Sequence, residues 1–335
     1  MQYALLLWPH ANIRYMDALQ KLAKAELSCL LKALHIDAPV SSETLGGASF
    51  LTFISDPLDE EGFRALSGLS SFYLICQKEK GQLLPLEPTY PWYLPADAAE
   101  VLKYKGKTNA AFTALMLNCA LTASSFFPVK GPLTVLDPMC GKGTSLYCAL
   151  RAGFNATCIE IDKKDWKEAG DYFSRYLQLH KYKHKKKAAS LTLSKGQSAP
   201  ETQFTFADTP EHYGNGQEMT LRLIQGDARR AGEMLKARSA HLIVCDLPYG
   251  VQHAPQQGQK PLSLTGLLNQ TLPGLKKALK PGGAAAFSFN TYTLSRQTLL
   301  KLLEEAGFTP VTQAPYDDFE HWVEQAVNRD LIIAR

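Results

Sequence analysis

Strand-like and helix-like segments alternate through the larger part of the chain, and this alternation constrains the fold more than any other feature. From residue 101 onward, the apolar runs TVLD, ATCIEI, RLIQGD and HLIVCD are separated by stretches with a helical spacing of apolar residues. Strands that alternate with helices are joined by right-handed crossovers, so they lie parallel with helices on both faces. The pattern predicts a Rossmann-like α/β domain built on a doubly wound, mostly parallel sheet, whose ligands bind at the carboxyl ends of the strands.

The first ninety residues show a different pattern, in which three strand-like runs are separated by two helical segments. The longer helical segment repeats apolar residues at three- and four-residue spacing from Met16 to Leu34, which is typical of a helix packed on a sheet. The prolines that follow, at positions 85, 88, 91 and 95, withhold backbone donors from regular structure. A small α+β domain that ends near this proline-rich stretch is therefore predicted.

The domain boundaries follow from these two patterns. The segment after the second strand of the α/β domain is rich in Ser, Thr, Gly and charge, which is typical of an excursion from the core, with a hairpin near QFTFAD. A final pair of strands is predicted over 308–319 and 326–335. We predict a small domain over 1–90, a linker over 91–100, and the α/β domain over 101–335 with an insertion at about 181–220.

Composition limits the classes of protein to which the chain belongs. Its 335 residues are 45% hydrophobic and 20% charged, so it can bury the cores that these domains require. The seven cysteines form no CxxC pair, which favours reduced thiols and a cytoplasmic enzyme over a disulfide-linked or zinc-binding protein. The N-terminus lacks a basic segment before its short apolar stretch, and no apolar run reaches the roughly 20 residues that span a bilayer. Neither export nor membrane insertion is predicted.

Charge is unevenly distributed along the chain. The formal net charge of +4 is too small to identify a polyanionic partner. The segment KYKHKKK, however, concentrates five lysines, namely Lys181, Lys183, Lys185, Lys186 and Lys187. By itself such a run is typical of a solvated loop. Because it also contains aromatic rings and leaves the helix after the second strand, it is equally consistent with a track for nucleic-acid phosphates.

A turn with two glycines, DPMCGKGT over residues 137–144, follows the strand TVLD. Glycine lets the backbone leave a strand sharply and approach a ligand too closely for a Cβ atom. The turn does not match the phosphate-binding pattern GxxxxGK[ST], and no third glycine completes the dinucleotide pattern GxGxxG. Two glycines alone are also consistent with a plain turn between a strand and a helix.

Acidic residues at the strand ends favour a ligand over a plain turn. Glu160 ends the second strand, where an acid is placed to accept hydrogen bonds from both ribose hydroxyls of a nucleoside. Asp227 follows the third strand and can accept from an adenine amino group. A ligand with adenosine but no demanding phosphate clamp points to S-adenosylmethionine (SAM), with Asp137 near its amino-acid portion. The cofactor predicted from these residues is therefore SAM.

The segment DLPYG, Asp246 to Gly250, closes the fourth strand and carries the chemistry. The exocyclic amino group of a base is a poor nucleophile, because its lone pair is delocalised into the ring. A carboxylate and a backbone carbonyl that accept its two hydrogens would direct the lone pair towards a methyl donor. Asp246 and the carbonyl of Leu247 or Pro248 suit this role. Tyr249 offers a ring on which the base can stack.

Two cysteines and one histidine near these motifs have alternative interpretations. Cys140 and Cys245 invite a covalent mechanism in which a thiolate adds to a cytosine ring. Cys245, however, precedes Asp246 by one residue and so faces the other side of its strand, and both cysteines are interpreted as packing residues. His253 is interpreted as an exposed loop residue rather than a substrate contact.

Taken together, DPMCGKGTSL, CIEID, QGDAR and CDLPYG resemble the catalytic domain of the SAM-dependent amino-methyltransferases, most closely the tRNA guanine-N2 methyltransferases that typically carry an RNA-binding THUMP domain. KYKGKTNAAFTALMLNCAL is similar to the helix before the glycine turn of that branch, and VNRDLIIAR to its last strand. The resemblance covers about 101–335 and implies a class I SAM methyltransferase fold with an antiparallel last strand. The N-terminal module is similar to the ferredoxin-like domain that opens those enzymes. The chain departs from the branch in two ways: the first ninety residues have no room for a THUMP domain as well, and Leu247 stands where the family has its first proline.

The resemblance also implies the roles of individual residues. For SAM it implies Asp137, Pro138, Gly141, Gly143, Glu160, Asp227 and Asp246, and for catalysis Asp246, Pro248 and Tyr249. The expected activity is methylation of an exocyclic amino group in RNA, guanine N2 of tRNA first, and no metal is required. Adenine N6 and cytosine N4 present a similar amino group, so a DNA adenine-N6 or small-molecule amine methyltransferase is an alternative. A nucleic-acid-binding module that has lost activity is another.

Overall fold

A computed structural model of the chain describes residues 1–8, 13–87, 90–100, 108–249, 256–257 and 260–335. The described residues form a five-stranded antiparallel sheet, a nine-stranded mixed sheet and nine α-helices, with one pair of two-residue strands. In the described part of the chain, no helix combines the length and the hydropathy that crossing a membrane requires.

The N-terminal unit holds the five-stranded sheet, in the order β2-β3-β1-β4-β5. Its elements are β1 (Gln2–Leu7), α1 (Ile13–Ala33), β2 (Ser41–Leu45), β3 (Ala48–Ile54), α2 (Glu60–Ser67), β4 (Phe72–Glu79) and β5 (Gln82–Pro85). The βαββαβ succession of the first six elements is the ferredoxin-like arrangement that was predicted. The sequence did not predict β2 and β5, because these edge strands are short and largely exposed and lack an apolar alternation.

The C-terminal unit holds the nine-stranded sheet. Its first half comprises α3 (Asp97–Glu100), α4 (Ala110–Ala123), β6 (Thr134–Asp137), α5 (Thr144–Arg151), β7 (Asn155–Glu160), α6 (Lys163–Leu179), β8 (Lys183–Thr192) and β9 (Ser198–Ala207). Its second half comprises β10 (Met219–Gln225), α7 (Ala231–Met234), β11 (Ala240–Asp246), β12 (Gln256–Gln257), β13 (Lys260–Pro261), α8 (Leu264–Ala278), β14 (Leu279–Asn290), α9 (Arg296–Glu305), β15 (His321–Glu324) and β16 (Val327–Ala334).

The strand order of the large sheet is β15-β16-β14-β11-β6-β7-β10-β9-β8. The five strands from β14 to β10 are parallel, and β16 joins β14 antiparallel. Helices α4, α5 and α6 pack on one face, and α7, α8 and α9 pack on the other, each over a separate apolar core. The predicted Rossmann-like, doubly wound sheet with an antiparallel last strand is confirmed.

Two predictions about strands meet different outcomes. The hairpin predicted near QFTFAD is confirmed, since β8 and β9 pair antiparallel and extend the sheet beyond β10. The strand predicted over 308–319 is wrong, because β15 begins only at His321. Pro310 and Pro315 lie within the predicted stretch and cannot donate to a ladder. The domain boundaries themselves stay a prediction.

Candidate functional site

The four acidic side chains that follow the central strands lie along one edge of the large sheet. Asp246, Asp137 and Glu160 are the last residues of β11, β6 and β7, and Asp227 follows β10 by two residues. These strands are neighbours in the order β11-β6-β7-β10. All four acids line a cavity of about 1050 Å³. The cavity spans the point between β6 and β11 at which the strand order reverses, where open α/β sheets bind their ligands.

Other residues predicted for the site divide into those that line this cavity and those that do not. Pro138, Gly141, Pro248 and Tyr249 line it. Gly143 is not a lining residue, although the turn to which it belongs forms one wall. The five lysines between 181 and 187 are not lining residues either, and they lie at the edge of the sheet in and before β8. His253 lies outside the described residues.

The two glycines of the turn serve different purposes. Gly143 is the N-cap of α5 and has a φ of 93°, and a Cβ atom there would lie 3.1 Å from Leu146 Cδ1. Gly141 has a φ of 52°, but no atom lies within 4 Å of the place where its Cβ would be. Gly143 therefore allows a backbone conformation and a close contact with Leu146 that a larger residue would not. Gly141 leaves open space beside the cavity, where a ligand can approach the backbone.

Asp137 is held inside the protein beneath the turn. Its side chain is 4% exposed and accepts hydrogen bonds from the backbone N–H of Met139 (2.9 Å) and from the hydroxyl of Ser145. Burial raises the pKa of Asp137 to about 7, and the nearby carboxylates of Glu160 and Asp246 add to the rise. A cation in the cavity would favour the ionised form, because an opposite charge lowers the pKa of a carboxyl group.

Glu160 ties the glycine turn to the end of β7. Its Oε2 accepts from the backbone N–H of Gly141 and its Oε1 from that of Asp162, both at 2.7 Å. Burial raises the pKa of Glu160, and these two bonds oppose the rise. A carboxylate has about four acceptor positions, so two remain for the hydroxyls of a ligand in the cavity.

Asp227 is more fully engaged than the sequence indicated. Its Oδ1 accepts from the backbone N–H of Arg229 at 2.9 Å, and its Oδ2 accepts from Nε and Nη2 of the same residue at 2.8 and 2.5 Å. The arginine fixes the orientation of the carboxylate. It also leaves Asp227 with few positions for an adenine amino group.

Asp246 lies at the centre of a hydrogen-bond network. Its Oδ2 accepts from the Thr108 hydroxyl and its Oδ1 from the Tyr249 hydroxyl, both at 2.5 Å. Tyr249 in turn accepts from Nε of Arg329 at 2.7 Å. The guanidinium of Arg329, which is 8% exposed, lies 5.3 Å from the centre of the Tyr249 ring and 4.7 Å from that of Phe112. The network holds the carboxylate and the ring in fixed positions at the cavity wall.

Leu247 helps to hold the turn after β11. Its backbone N–H donates to the carbonyl of Ser288 at 2.8 Å, which a proline cannot do. Its side chain is 2% exposed and packs in the apolar core beneath α8 and α9. A hydrogen bond and side-chain packing thus hold the turn after β11.

Both cysteines beside the site are buried and free. Cys245 is fully buried in the core on the far side of β11 from the cavity, as predicted from its position in the strand. Burial raises the pKa of both thiols well above the ordinary value. A buried thiol of this kind is a poor nucleophile, which agrees with the interpretation of both as packing residues.

Sequence reasoning missed Thr108, Arg329 and Ser288. Thr108 lies 138 residues from Asp246, and Arg329 lies 80 residues from Tyr249. A signal for Thr108 and Arg329 was present in the sequence. Thr108 lies before α4 and Arg329 in the last strand, and both segments were noted for their resemblance to known methyltransferases. Resemblance of a segment does not reveal which side chains within it touch the site.

Comparisons with known proteins give neighbours in fold only. No family model and no curated protein matches the chain. Among solved structures, it is similar to a TehB-like SAM-dependent methyltransferase from Corynebacterium glutamicum, at 14% identity and a TM-score of 0.34 over 60% of this chain and 78% of that one. A SAM-dependent methyltransferase from Aquifex aeolicus matches at 15% identity and a TM-score of 0.35, over 68% and 98% of the two chains. The [4+2]-cyclase SpnF matches at 15% identity and a TM-score of 0.34, over 62% of each chain. Likeness at this level concerns the fold, and a fold alone does not determine an activity.

Proposed function

We propose that the chain is a SAM-dependent methyltransferase that modifies an exocyclic amino group of a nucleobase in RNA. The observation that carries the proposal is the position of Asp246: its carboxylate ends β11, lines the cavity beside the glycine turn, and is followed by the Leu247-Pro248-Tyr249 turn. Guanine N2 of tRNA is the first candidate, because the motifs resemble those of the guanine-N2 branch. Adenine N6 and cytosine N4 are the competing amino groups.

The residues of the cavity fit the proposed cofactor. Its volume of about 1050 Å³ has room for an adenosyl amino acid and a base, since ligand pockets typically measure about 300–1,000 Å³. Gly141 leaves open space beside the backbone, and Glu160 keeps free acceptor positions. We infer that SAM is held by Asp137, Pro138, Gly141, Glu160, Asp227 and Asp246, with Gly143 shaping the turn. When bound, SAM supplies an electrophilic methyl group.

The chain's own residues then prepare the base. Asp246 and the carbonyl of Leu247 or Pro248 accept the two amino hydrogens and orient the nitrogen lone pair, which is a positioning effect. The amino nitrogen gains positive charge as it is alkylated, and the Asp246 carboxylate stabilises that charge and takes up the proton that is released. Tyr249 lies at the cavity wall with its hydroxyl held by Asp246 and Arg329, so its ring is fixed for contact with the base.

We further propose that RNA is the partner and the cytoplasm the compartment. Lysines of the run from Lys181 to Lys187 supply cations for phosphates, although none of the run lines the cavity. All seven cysteines are free and buried, which suits a reducing compartment.

The test supplies SAM with a labelled methyl group to the purified protein, with unmodified tRNA, rRNA and DNA in parallel, and identifies labelled nucleosides after digestion. Label in N2-methylguanosine from tRNA is the expected result. Label in N6-methyladenosine or N4-methylcytidine would keep the enzyme class and correct the base. If SAM binds and no nucleic acid is labelled, the RNA substrate is wrong, and if SAM does not bind, the alternative of an inactive module gains support.

Asp246→Asn is the matching variant in this assay. It should lower turnover by about a hundredfold or more, the scale seen when a group that stabilises the transition state is removed. SAM affinity should change far less than turnover, because Asp246 is one of six residues that hold SAM and the amide keeps the size of the carboxylate. Asp171→Asn on the exposed face of α6 removes the same charge and should change neither quantity. A large loss of SAM affinity in Asp246→Asn would contradict this division of roles.

A further inference from the structure

The β8–β9 hairpin adds two strands to the edge of the sheet, and its two faces differ in chemistry. In the register of the hairpin, Lys185 lies opposite Thr205, Lys186 opposite Phe204 and Lys187 opposite Gln203. Successive side chains of a strand point to opposite faces. The lysines of β8 are therefore divided between the two faces of the sheet.

One face of the hairpin packs on α6. Phe204 and Phe206 are fully buried there and meet the ring of Phe173 at 5.2 and 5.1 Å. Lys186 belongs to this face: its Nζ lies 5.4 Å from the centre of the Phe204 ring and donates to the hydroxyl of Ser174 at 3.2 Å. Lys186 thus covers the rim of the apolar core rather than standing free.

The opposite face presents a row of cations. Lys183, Lys185 and Lys187 are exposed on β8, and Gln203 and Thr205 stand beside them on β9. These five residues are called the lysine face below. Arg222 on β10 forms an ion pair with Glu201 on β9 at 2.6 Å. Glu201, which lies beside the lysine face, is therefore already neutralised. Among the described residues, no acid forms an ion pair with these three lysines, and Lys183 Nζ lies 4.9 Å from the centre of the Tyr213 ring.

We propose that the lysine face binds the sugar-phosphate backbone of the RNA substrate. Alternate residues of a strand are about 6.6 Å apart, so the three lysines form a straight, evenly spaced row that suits a regularly charged chain. The amide and hydroxyl of Gln203 and Thr205 supply the neutral donors that commonly contact phosphate and sugar. The face carries no apolar side chain among its five members, which a membrane surface would require.

The position of the face also fits a long substrate. Three strand spacings, about 14 Å, separate β8 from β7, whose last residue is Glu160, and the register sets Lys187, Lys185 and Lys183 a further ~10 to ~23 Å from that residue along the strands. A polynucleotide can lie on the lysine face and still present a base to the cavity, whereas a small amine cannot reach both. This inference rests on the proposed RNA substrate, and it adds the surface that holds it.

The experiment measures binding of a transcribed, unmodified tRNA to the full chain over a series of salt concentrations. The variant Lys183→Ala/Lys185→Ala/Lys187→Ala should bind about tenfold more weakly or worse, and the slope of log Kd against log salt should fall by about two, since each phosphate contact on a flexible strand contributes about 0.7. The charge-matched control Lys130→Ala/Lys236→Ala/Lys301→Ala removes three exposed lysines elsewhere and should retain both values.

A second comparison separates the effect of the face on which a lysine lies from the effect of losing one positive charge. Lys185→Ala should weaken tRNA binding, and Lys186→Ala, the adjacent lysine on the α6 face, should leave it unchanged. SAM affinity and turnover at saturating tRNA should be retained in every lysine variant, so that the effect appears in KM. Equal tRNA affinity in the two triple variants, or equal effects of the two single ones, would overturn the proposal while leaving the methyltransferase assignment intact. Absence of saturable tRNA binding by the unaltered chain would overturn both the RNA substrate and this surface.

Discussion

At the scale of single residues, the site depends on carboxylates whose surroundings differ. Asp137 is buried beneath the glycine turn, Glu160 is held by two backbone N–H groups, and Asp246 is held by two hydroxyls. A carboxylate in a desolvated position resists ionisation, whereas one that accepts hydrogen bonds is stabilised in its charged form. Carboxylates in such different surroundings can therefore have different roles, one binding a cation and another accepting hydrogen bonds from an amine.

Tyr249 allows the ring and the hydroxyl to be separated experimentally. Tyr249→Phe keeps the ring and removes the acceptor of the Arg329 N–H, so we expect kcat/KM within about tenfold of normal and a loss of stability on the order of 1–3 kcal/mol. Tyr249→Ala also removes the ring, and a stacking contribution of about 1–3 kcal/mol predicts a fall in kcat/KM of roughly 5- to 150-fold. Steady-state kinetics and thermal unfolding measure the two effects. Equal kinetics in both variants would argue against stacking.

Asp137 makes the unfolding free energy depend on pH. Burial raises its folded pKa to about 7 from an ordinary value of 3.8. Between these values the folded state keeps a proton that the unfolded state has released, so this contribution is complete below about pH 4 and is lost as the pH rises through 7. The slope from one such group is at most about 1.4 kcal/mol per pH unit. Burial also raises the pKa of Glu160 and Asp330, which act in the same direction.

Asp137→Asn isolates that contribution, because asparagine keeps the shape and does not titrate. The difference in unfolding free energy between the unaltered chain and the variant should change between about pH 4.5 and 7.5 and level off above about pH 8. Chemical denaturation in the absence of SAM at a series of pH values measures it. A difference that stays constant across this range would show that Asp137 is ionised throughout.

At the scale of elements, the turn between β6 and α5 is stabilised by the end of the neighbouring strand. Glu160 on β7 accepts from Gly141, so one carboxylate links the turn to the strand that would hold the nucleoside. The left-handed φ of Gly141 and Gly143 allows the chain to turn within four residues and start α5. The end of β7 and the glycine turn are therefore coupled through Glu160.

The ribose role of Glu160 can be tested apart from that coupling. S-adenosylhomocysteine should bind the unaltered chain about tenfold or more tightly than its 2′-deoxy analogue, because a hydrogen bond to a charged group contributes about 1.5–3 kcal/mol. In Glu160→Ala both ligands should bind weakly and with nearly equal affinity. Calorimetric titration of the two ligands measures this preference. A variant that retains the full preference for the ribose hydroxyl would show that another residue holds the ribose.

At the scale of the whole molecule, the N-terminal unit is joined to the sheet unit by a buried polar cluster. Glu26 on α1 is 1% exposed and accepts from the Asn118 amide on α4 at 2.6 Å and from the backbone N–H and hydroxyl of Ser70 at 3.0 and 2.5 Å. Asn118 also donates to the carbonyl of Gly68 at 2.8 Å. Because α4 packs on the sheet next to the site, the N-terminal unit supports the wall that carries Thr108.

Asn118→Ala should destabilise the whole chain through this cluster. It removes one donor from a buried carboxylate and leaves the Gly68 carbonyl short of a partner, which costs on the order of 1–3 kcal/mol. Chemical denaturation should show the loss, and Asn269→Ala on the exposed face of α8 is the matched control that should show little change. An Asn118→Ala variant as stable as the control would mean that the cluster contributes no net stability.

The sequence alone determined the fold class and the edge of the sheet at which the predicted site residues lie. The alternation of strands and helices is a local pattern, and an acid that ends a parallel strand must lie at the same edge as its neighbours. Asp137, Glu160 and Asp246 could therefore be placed before their contacts were known. The lysine-rich β8 and the polar β2 could not, because their residues have low strand propensity and pair only as edges of an existing sheet.

Only the tertiary structure decided which side chains line the cavity and which lysines share one face of the hairpin. Thr108, Arg329 and Ser288 reach Asp246, Tyr249 and Leu247 across long separations in sequence, and no local period encodes such contacts. The difference between Lys185 and Lys186 depends on the register of β8 against β9 and on α6 covering one face of the hairpin. Packing between distant segments sets the contacts of these three residues and the faces of the two lysines. That packing depends on the whole chain rather than on neighbouring residues.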